Sequence, residues 1–129
     1  MNGTELLKYA EEARKQSYCP YSGFAVGAAL MCTSGKIYLG CNIENSAYST
    51  TICAERVAFC KAISEGERKF ESIAIVGGRD GVKETCYPCG VCRQFMSEFC
   101  SSDFKLYFYN GEKAVEYLYD EILPHRFTL

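Results

Sequence analysis

Histidine is almost missing from this chain: His125 is the only one in 129 residues, and it stands far from the cysteine motifs described below. A metal set built on imidazole is therefore set aside in favour of thiolates. Massed positive charge is missing too. Fourteen Lys and Arg against sixteen Asp and Glu leave a net charge of -2, with the cations scattered. The electrostatic footprint of a protein that grips DNA or RNA is absent, which favours a small substrate. No apolar run approaches the roughly 18 residues that would span a bilayer. Residues 1–16 lack the basic start and continuous apolar stretch of a secretory signal. Internal repeats, low-complexity tracts and linkers are also lacking, so residues 1–129 are expected to form one domain around one core.

Cysteine, by contrast, is abundant. Nine thiols form an odd set, and without a visible signal they argue against an extracellular disulfide framework and for a reducing cytoplasm. Cys19, Cys32, Cys41, Cys60, Cys86 and Cys100 lie outside the motifs and read as small buried or half-buried hydrophobes. A content of 48% hydrophobic and 14% aromatic residues argues for a packed core rather than disorder.

Leu6, Leu7, Ala10 and Ala13 recur at helical spacing behind Thr4, the expected N-cap, and predict a helix over 4–16 that stops before Pro20. Residues 24–32 and 36–43, separated by Thr33-Ser34-Gly35, predict an antiparallel hairpin. A second helix is expected over 52–65, ending at Gly66. Then come a buried strand over 72–77, a loop over 77–81, a helix over 88–100 and a strand over 104–109 ended by Asn110-Gly111. The remainder is a polar-apolar segment reaching Pro124. Strands alternating with helices in this way point to an α/β sandwich on a mixed sheet.

Cys53-Ala54-Glu55 opens the second of these helices and Pro88-Cys89-Gly90-Val91-Cys92 opens the third. Cys89 and Cys92 are three apart, so in a first helical turn they share a face and can chelate one ion, with Cys53 closing the triangle. Helix N-termini lower thiol pKa values and favour the ligating form. Three thiolates without a fourth outline a catalytic Zn²⁺ site, since structural zinc normally closes its shell with four protein ligands. Glu55 could move a proton to and from water at such a site. In a formed helix Cys53 and Glu55 point to nearly opposite sides, so both can address the metal only if Cys53 lies at the fraying first turn. A Zn²⁺ with three thiolates is formally anionic, and Arg56 is the candidate donor that offsets this charge at the ligand sulfurs. Two other readings stay open on these residues alone. One is a closed structural zinc module with Cys86 or another thiol as fourth ligand. The other is a thiol oxidoreductase using Cys89 and Cys92, which would leave Cys53-Ala54-Glu55 idle.

The zinc-deaminase signature pairs H-x-E with P-C-x-x-C, and Cys53-Ala54-Glu55 takes the first part here. Together with Tyr21-Ser22-Gly23-Phe24-Ala25-Val26-Gly27-Ala28-Ala29-Leu30, Gly40-Cys41-Asn42-Ile43-Glu44-Asn45 and Cys89-Gly90-Val91-Cys92-Arg93-Gln94, these motifs make the chain resemble the small Cys₃-type zinc-dependent cytidine deaminases over nearly its whole length. The resemblance implies a three-layer α/β/α sandwich on a mixed five-stranded sheet. It implies hydrolytic deamination of cytidine, and of 2′-deoxycytidine, in pyrimidine salvage, with zinc-bound hydroxide attacking C4 and ammonia leaving. By the same resemblance Cys53, Cys89 and Cys92 look like ligands of one Zn²⁺ per subunit and Glu55 like the proton shuttle. Phe24 resembles the aromatic that packs on the base, Ala54 a backbone contact to the base, and Asn42 with Glu44 the pair that binds the ribose hydroxyl. Tyr48 and Phe127 resemble residues that complete a neighbouring subunit's pocket in a homotetramer. Tyr87 departs from the pattern, standing before Pro88 where these enzymes often carry Ser. Read alone, Phe24 is more readily a core residue, and Tyr48 and Phe127 are packing residues. Asn42 and Glu44 alternate on a strand end and so face one way.

Overall fold

The computed structural model describes all residues from Met1 to Leu129. Helix α1 spans Gly3–Arg14 and is followed by β1 (Phe24–Cys32) and β2 (Ile37–Cys41). A short 3₁₀ turn at Tyr48–Thr50 leads to α2 (Ala54–Ser64), β3 (Phe70–Arg79), α3 (Gly90–Met96), β4 (Lys105–Tyr109), β5 (Ala114–Leu118) and α4 (Tyr119–Ile122). The strand order is β2-β1-β3-β4-β5. Only the β3–β4 pair is parallel, and α3 lies in the crossover that a parallel pair needs. The expected mixed, five-stranded sheet is therefore present, with helices on both faces.

Alternation along the strands assigns the layers. Ala29 of β1 and Ala74 and Val76 of β3 pack with Leu6 and Ala10 of α1. Their neighbours Ala28, Leu30, Ile73 and Ile75 face the opposite layer, with Ala58 and Phe59 of α2, Met96 of α3 and Tyr119 of α4. Phe59 is fully buried, and its ring lies 5.1 Å from Phe70, 6.1 Å from Phe95 and 6.3 Å from Phe104. Aromatic contacts of this kind add about 0.5–1.5 kcal/mol each beyond burial. The Phe59–Phe95 contact ties α2 to α3 and keeps their N-termini side by side.

Several boundaries differ from expectation. The cap of α1 is Asn2 rather than Thr4, because the Asn2 Oδ1 accepts the Glu5 backbone N–H at 2.9 Å. Gly77 and Gly78 belong to β3, not to a loop, since they pair with Val26 and Ala25. Helix α3 is shorter than the expected 88–100, with Cys89 as its N-cap and Ser97 as its C-cap. The last segment is not undivided: Asn110-Gly111 is a hairpin turn rather than a terminator. Asn110 Oδ1 accepts from Glu112 N and Lys113 N at 3.0 and 2.9 Å, and Gly111 takes φ 102°. This returns the chain as β5, antiparallel to β4. No helix is long and apolar enough to cross a membrane.

Candidate active site

The N-terminus of β1 lies beside the C-terminal ends of β2 and β3, and α2 and α3 begin at this end of the sheet. Helix α2 reaches close to β2 because Gly40 has no side chain. A Cβ there would collide with the Ala54 carbonyl oxygen and the Ala58 nitrogen. Cys53 is the N-cap of α2 with extended backbone, φ −73° and ψ 154°, and Cys89 is the N-cap of α3 with φ −70° and ψ 167°. An N-cap is free of helical dihedrals, so Cys53 can turn toward the cluster although Glu55, inside the first turn, shares it.

The Sγ atoms of Cys53, Cys89 and Cys92 all lie within 4.8 Å of one another. Cys53 to Cys89 is 3.7 Å and Cys89 to Cys92 is 3.6 Å. Zn–S bonds of about 2.3 Å in a tetrahedron require S···S edges of about 3.8 Å, so the thiols fit one Zn²⁺, and their softness suits that ion. The neighbouring Cys92 thiol, and with it the Arg56 guanidinium and Cys89, hold the Cys53 thiol down at about 5 against the effect of burial. Cys92 moves the other way, raised by its closeness to Cys53 and by burial.

Glu55 is 3% exposed. Burial pushes its carboxyl up to about 7, with the Cys53 thiolate adding to the rise. A carboxyl of that pKa exchanges its proton readily at neutral pH. Arg56 places Nη2 3.6 Å from Cys53 Sγ and 3.3 Å from the Thr51 carbonyl oxygen. Arg56→Gln removes the positive charge beside an anionic thiolate cluster, strengthening sulfur donation and making the ion a weaker Lewis acid. The variant is expected to fold and to lose about 10- to 100-fold in turnover or zinc retention. Steady-state kinetics and metal analysis check this, and parental values in both would return Arg56 to an ordinary surface role.

A cavity of about 270 Å³ opens on the cluster. Phe24, Asn42, Glu44, Cys53, Ala54, Glu55 and Cys89 all line it, so most of the residues picked from the sequence share one space. Asn42 is held by β1, its Oδ1 accepting Val26 N–H at 2.9 Å and its Nδ2 donating to the Phe24 carbonyl at 2.8 Å. One N–H and one lone pair of this amide stay available for a ligand. Glu44 Oε1 accepts Tyr21 N–H and Ser22 N–H at 3.0 and 3.1 Å, and Oε2 accepts the Ser22 hydroxyl at 2.5 Å. Burial would raise the Glu44 pKa, but these hydrogen bonds outweigh it and keep the carboxyl below its usual range. Both side chains are thus fixed before any ligand arrives.

Tyr48 and Phe127 do not reach this cavity. They are 66% and 67% exposed. The Tyr48 ring pairs nearly perpendicular to that of Tyr21, with ring centroids 5.9 Å apart, and the Phe127 carbonyl accepts from Gln94 at 3.1 Å. Other lining residues had no role assigned from the sequence. Ser22 orients Glu44, Thr51 and Tyr87 form part of the rim, and Cys86 forms part of the wall. The quoted Tyr21-Ser22-Gly23 segment was the available signal for Ser22. Cys86 stands outside the three-thiol cluster, and burial pushes its thiol up to about 12. A closed four-thiol site through Cys86 is therefore not the arrangement present. Of the remaining cysteines, Cys32 and Cys100 are buried as expected, whereas Cys60 is exposed because the buried face of α2 carries Ala58, Phe59 and Ala62 instead.

A three-layer α/β domain that gathers three thiols at two helix N-termini beside a buried carboxyl defines a zinc-dependent hydrolytic enzyme. More narrowly, the chain belongs to the cytidine and deoxycytidylate deaminase family, whose zinc-binding region it matches over residues 2–108. It is 48% identical over 116 residues to a cytidine deaminase of Sporosarcina psychrophila, covering 90% of this chain and 83% of that one. It is 45% identical over 129 residues to a cytidine deaminase of Halalkalibacterium halodurans, covering 99% and 96%. The crystal structure of cytidine deaminase from Burkholderia pseudomallei superposes with a TM-score of 0.89 at 37% identity, covering 98% of this chain and all of that one.

Proposed function

We propose that the chain catalyses the hydrolytic deamination of cytidine to uridine and ammonia, and that 2′-deoxycytidine is a second substrate. The carrying observation is the buried Glu55 carboxyl beside the Cys53–Cys89–Cys92 cluster. When bound there, zinc supplies Lewis-acid activation of water near neutral pH. Glu55 takes one proton from water and passes it to the ring nitrogen of the pyrimidine. It then takes the second from the new C4 hydroxyl and passes it to the departing amine, so that the C4 carbonyl forms as ammonia leaves. A single carboxyl can serve as base and acid in turn. Phe24 packs on the base, and Ala54 offers the backbone of the first turn of α2, where amide hydrogens lack intrahelical acceptors. Asn42 and Glu44 hold the sugar hydroxyl. The cavity is lined by two acids and no Lys or Arg. Glu44 at the sugar end disfavours a phosphate, so a nucleoside is preferred to a nucleotide. Loss of cytidine absorbance with stoichiometric uridine, abolished by chelation and restored by zinc, tests this reading. A zinc-loaded protein inert toward cytidine and deoxycytidine would contradict it.

The active unit in this proposal is a homotetramer in the cytoplasm, with pockets completed by Tyr48 and Phe127 of a neighbouring subunit. Two exposed aromatics that serve no cavity of their own support the shared pocket, and nine free thiols suit a reducing compartment. The role in pyrimidine salvage follows from a nucleoside substrate. Mixing Glu55→Gln subunits with Phe127→Ala subunits is expected to restore activity that neither parent has, because some sites then contain neither lesion. Light scattering that shows a fully active monomer, or an oligomer without complementation, would remove the shared pocket.

A further inference from the structure

Arg14 is a charged residue that no step above uses, yet it is only 5% exposed. It ends α1, on the face of the sheet opposite α2 and α3. Its Nη1 pairs with Glu11 at 3.1 Å, its Nε donates to the Ala25 carbonyl at 2.9 Å and its Nη2 to the Val82 carbonyl at 2.5 Å. Ala25 follows Phe24 in β1. Val82 closes the turn after β3, where its N–H donates to the Arg79 carbonyl at 2.9 Å and Asp80 and Gly81 take φ 53° and 74°.

That turn reaches the cavity by two routes. Arg79 lies over the Phe24 ring, its guanidinium carbon 5.4 Å from the centroid, and its Nε donates to the Ser22 carbonyl at 3.3 Å. The chain beyond Val82 returns along β3, with Glu84 N–H donating to the Gly77 carbonyl at 2.7 Å, and then delivers Cys86 to the cavity wall. The space is cut for this arrangement. A Cβ at Gly78 would collide with the Val82 carbonyl and stand 3.0 Å from Arg14 Nη2, while one at Gly77 would stand 2.7 Å from the Phe24 ring and 3.1 Å from Cys86.

We propose that Arg14 is a positioning residue for substrate binding: by joining the Ala25 and Val82 carbonyls from behind the sheet, it fixes the Arg79–Val82 turn, and through it Phe24 and Cys86, around the base. The role rests on the deaminase reading. Without the guanidinium the Ala25 and Val82 carbonyls lose the donor they share, and the turn is free to open and hydrogen-bond to water instead. Arg79 then leaves Phe24 and the wall loosens. The zinc cluster is anchored separately, since Arg93 Nε donates to the Pro88 carbonyl at 2.8 Å and Nη1 to the Ile122 carbonyl at 2.7 Å.

The test compares Arg14→Gln, Arg14→Lys, Arg79→Gln and the Arg14→Lys/Arg79→Gln double variant in the zinc-loaded oligomer. Arg14→Gln is expected to raise KM for cytidine about tenfold, with zinc content unchanged and a smaller effect on kcat. Arg14→Lys is expected to recover part of the loss, because a single ammonium can reach one carbonyl but not bridge both. Arg79→Gln alters an exposed side chain and is also expected to raise KM. The double variant is expected to be no worse than the poorer single, since both act through one turn. Should Arg14→Gln fail to fold, this cycle decides the matter. A lower melting temperature with parental KM, or additive effects in the cycle, would overturn the positioning role. A parent that does not turn over cytidine would instead sink the deaminase reading itself.

Discussion

Glu55→Gln is expected to retain one zinc per subunit and to lose about 10²- to 10⁴-fold in kcat. The amide is nearly isosteric with the carboxyl, so a side chain that is 3% exposed should keep its place in the packing. What disappears is the capacity to accept a proton. The carboxyl it replaces is pushed up to about 7, chiefly by burial, so at neutral pH it holds and releases a proton with little penalty in either direction. The loss should fall on kcat and kcat/KM alike, because proton movement contributes in the transition state and little to ground-state binding. Metal analysis and steady-state kinetics on one preparation check the prediction. Turnover within a few-fold of the parent would dismiss Glu55 as the proton carrier.

Cys92→Ala is expected to abolish both zinc binding and activity, and to destabilise the fold. The three thiols join the N-caps of α2 and α3, so the binding energy of the metal also holds these helices together. Cys92 is fully buried, and its truncation adds a cavity to the lost metal. Chelation should lower the melting temperature of the parent and leave that of the variant unchanged. Equal metal content in variant and parent, with equal melting temperatures, would reject Cys92 as a ligand.

The parts of the fold that sequence made legible are those with strong local pattern. The β1–β2 hairpin shows as two apolar runs around Thr33-Ser34-Gly35, and Gly35 does take a positive φ of 94°. Strand β5 was not legible, because Ala114–Leu118 is only five residues long and none of them is fully buried. Its Val115 and Tyr117 are half-buried and pack against the core only once β4 lies beside them, with the Tyr117 ring 5.8 Å from Phe108. Asn110-Gly111 was seen and read as an end, although the pair is equally the signature of a hairpin.

At the site, spacing brought Cys89 and Cys92 together on paper, and the meeting with Cys53 followed from two helices starting at the same end of the sheet. The apparent conflict between Cys53 and Glu55 dissolved because Cys53 is an N-cap, a boundary that helical periodicity places only to within a residue or two. Arg14 was not legible as part of the site, Ser22 showed only as a member of a motif, and Cys86 only as a possible fourth ligand rather than a wall residue. Their significance lies in contacts with Val82, Glu44 and Gly77, which are 68, 22 and 9 positions away in the chain. A motif confined to one segment carries no trace of such partners.

The most direct measurement is X-ray absorption at the zinc edge of the purified protein. Three sulfur neighbours at about 2.3 Å and one light oxygen or nitrogen neighbour at about 2.0 Å are expected, the shell of an ion with one position open to water or substrate. Four sulfur neighbours would show a closed structural site and contradict the deaminase.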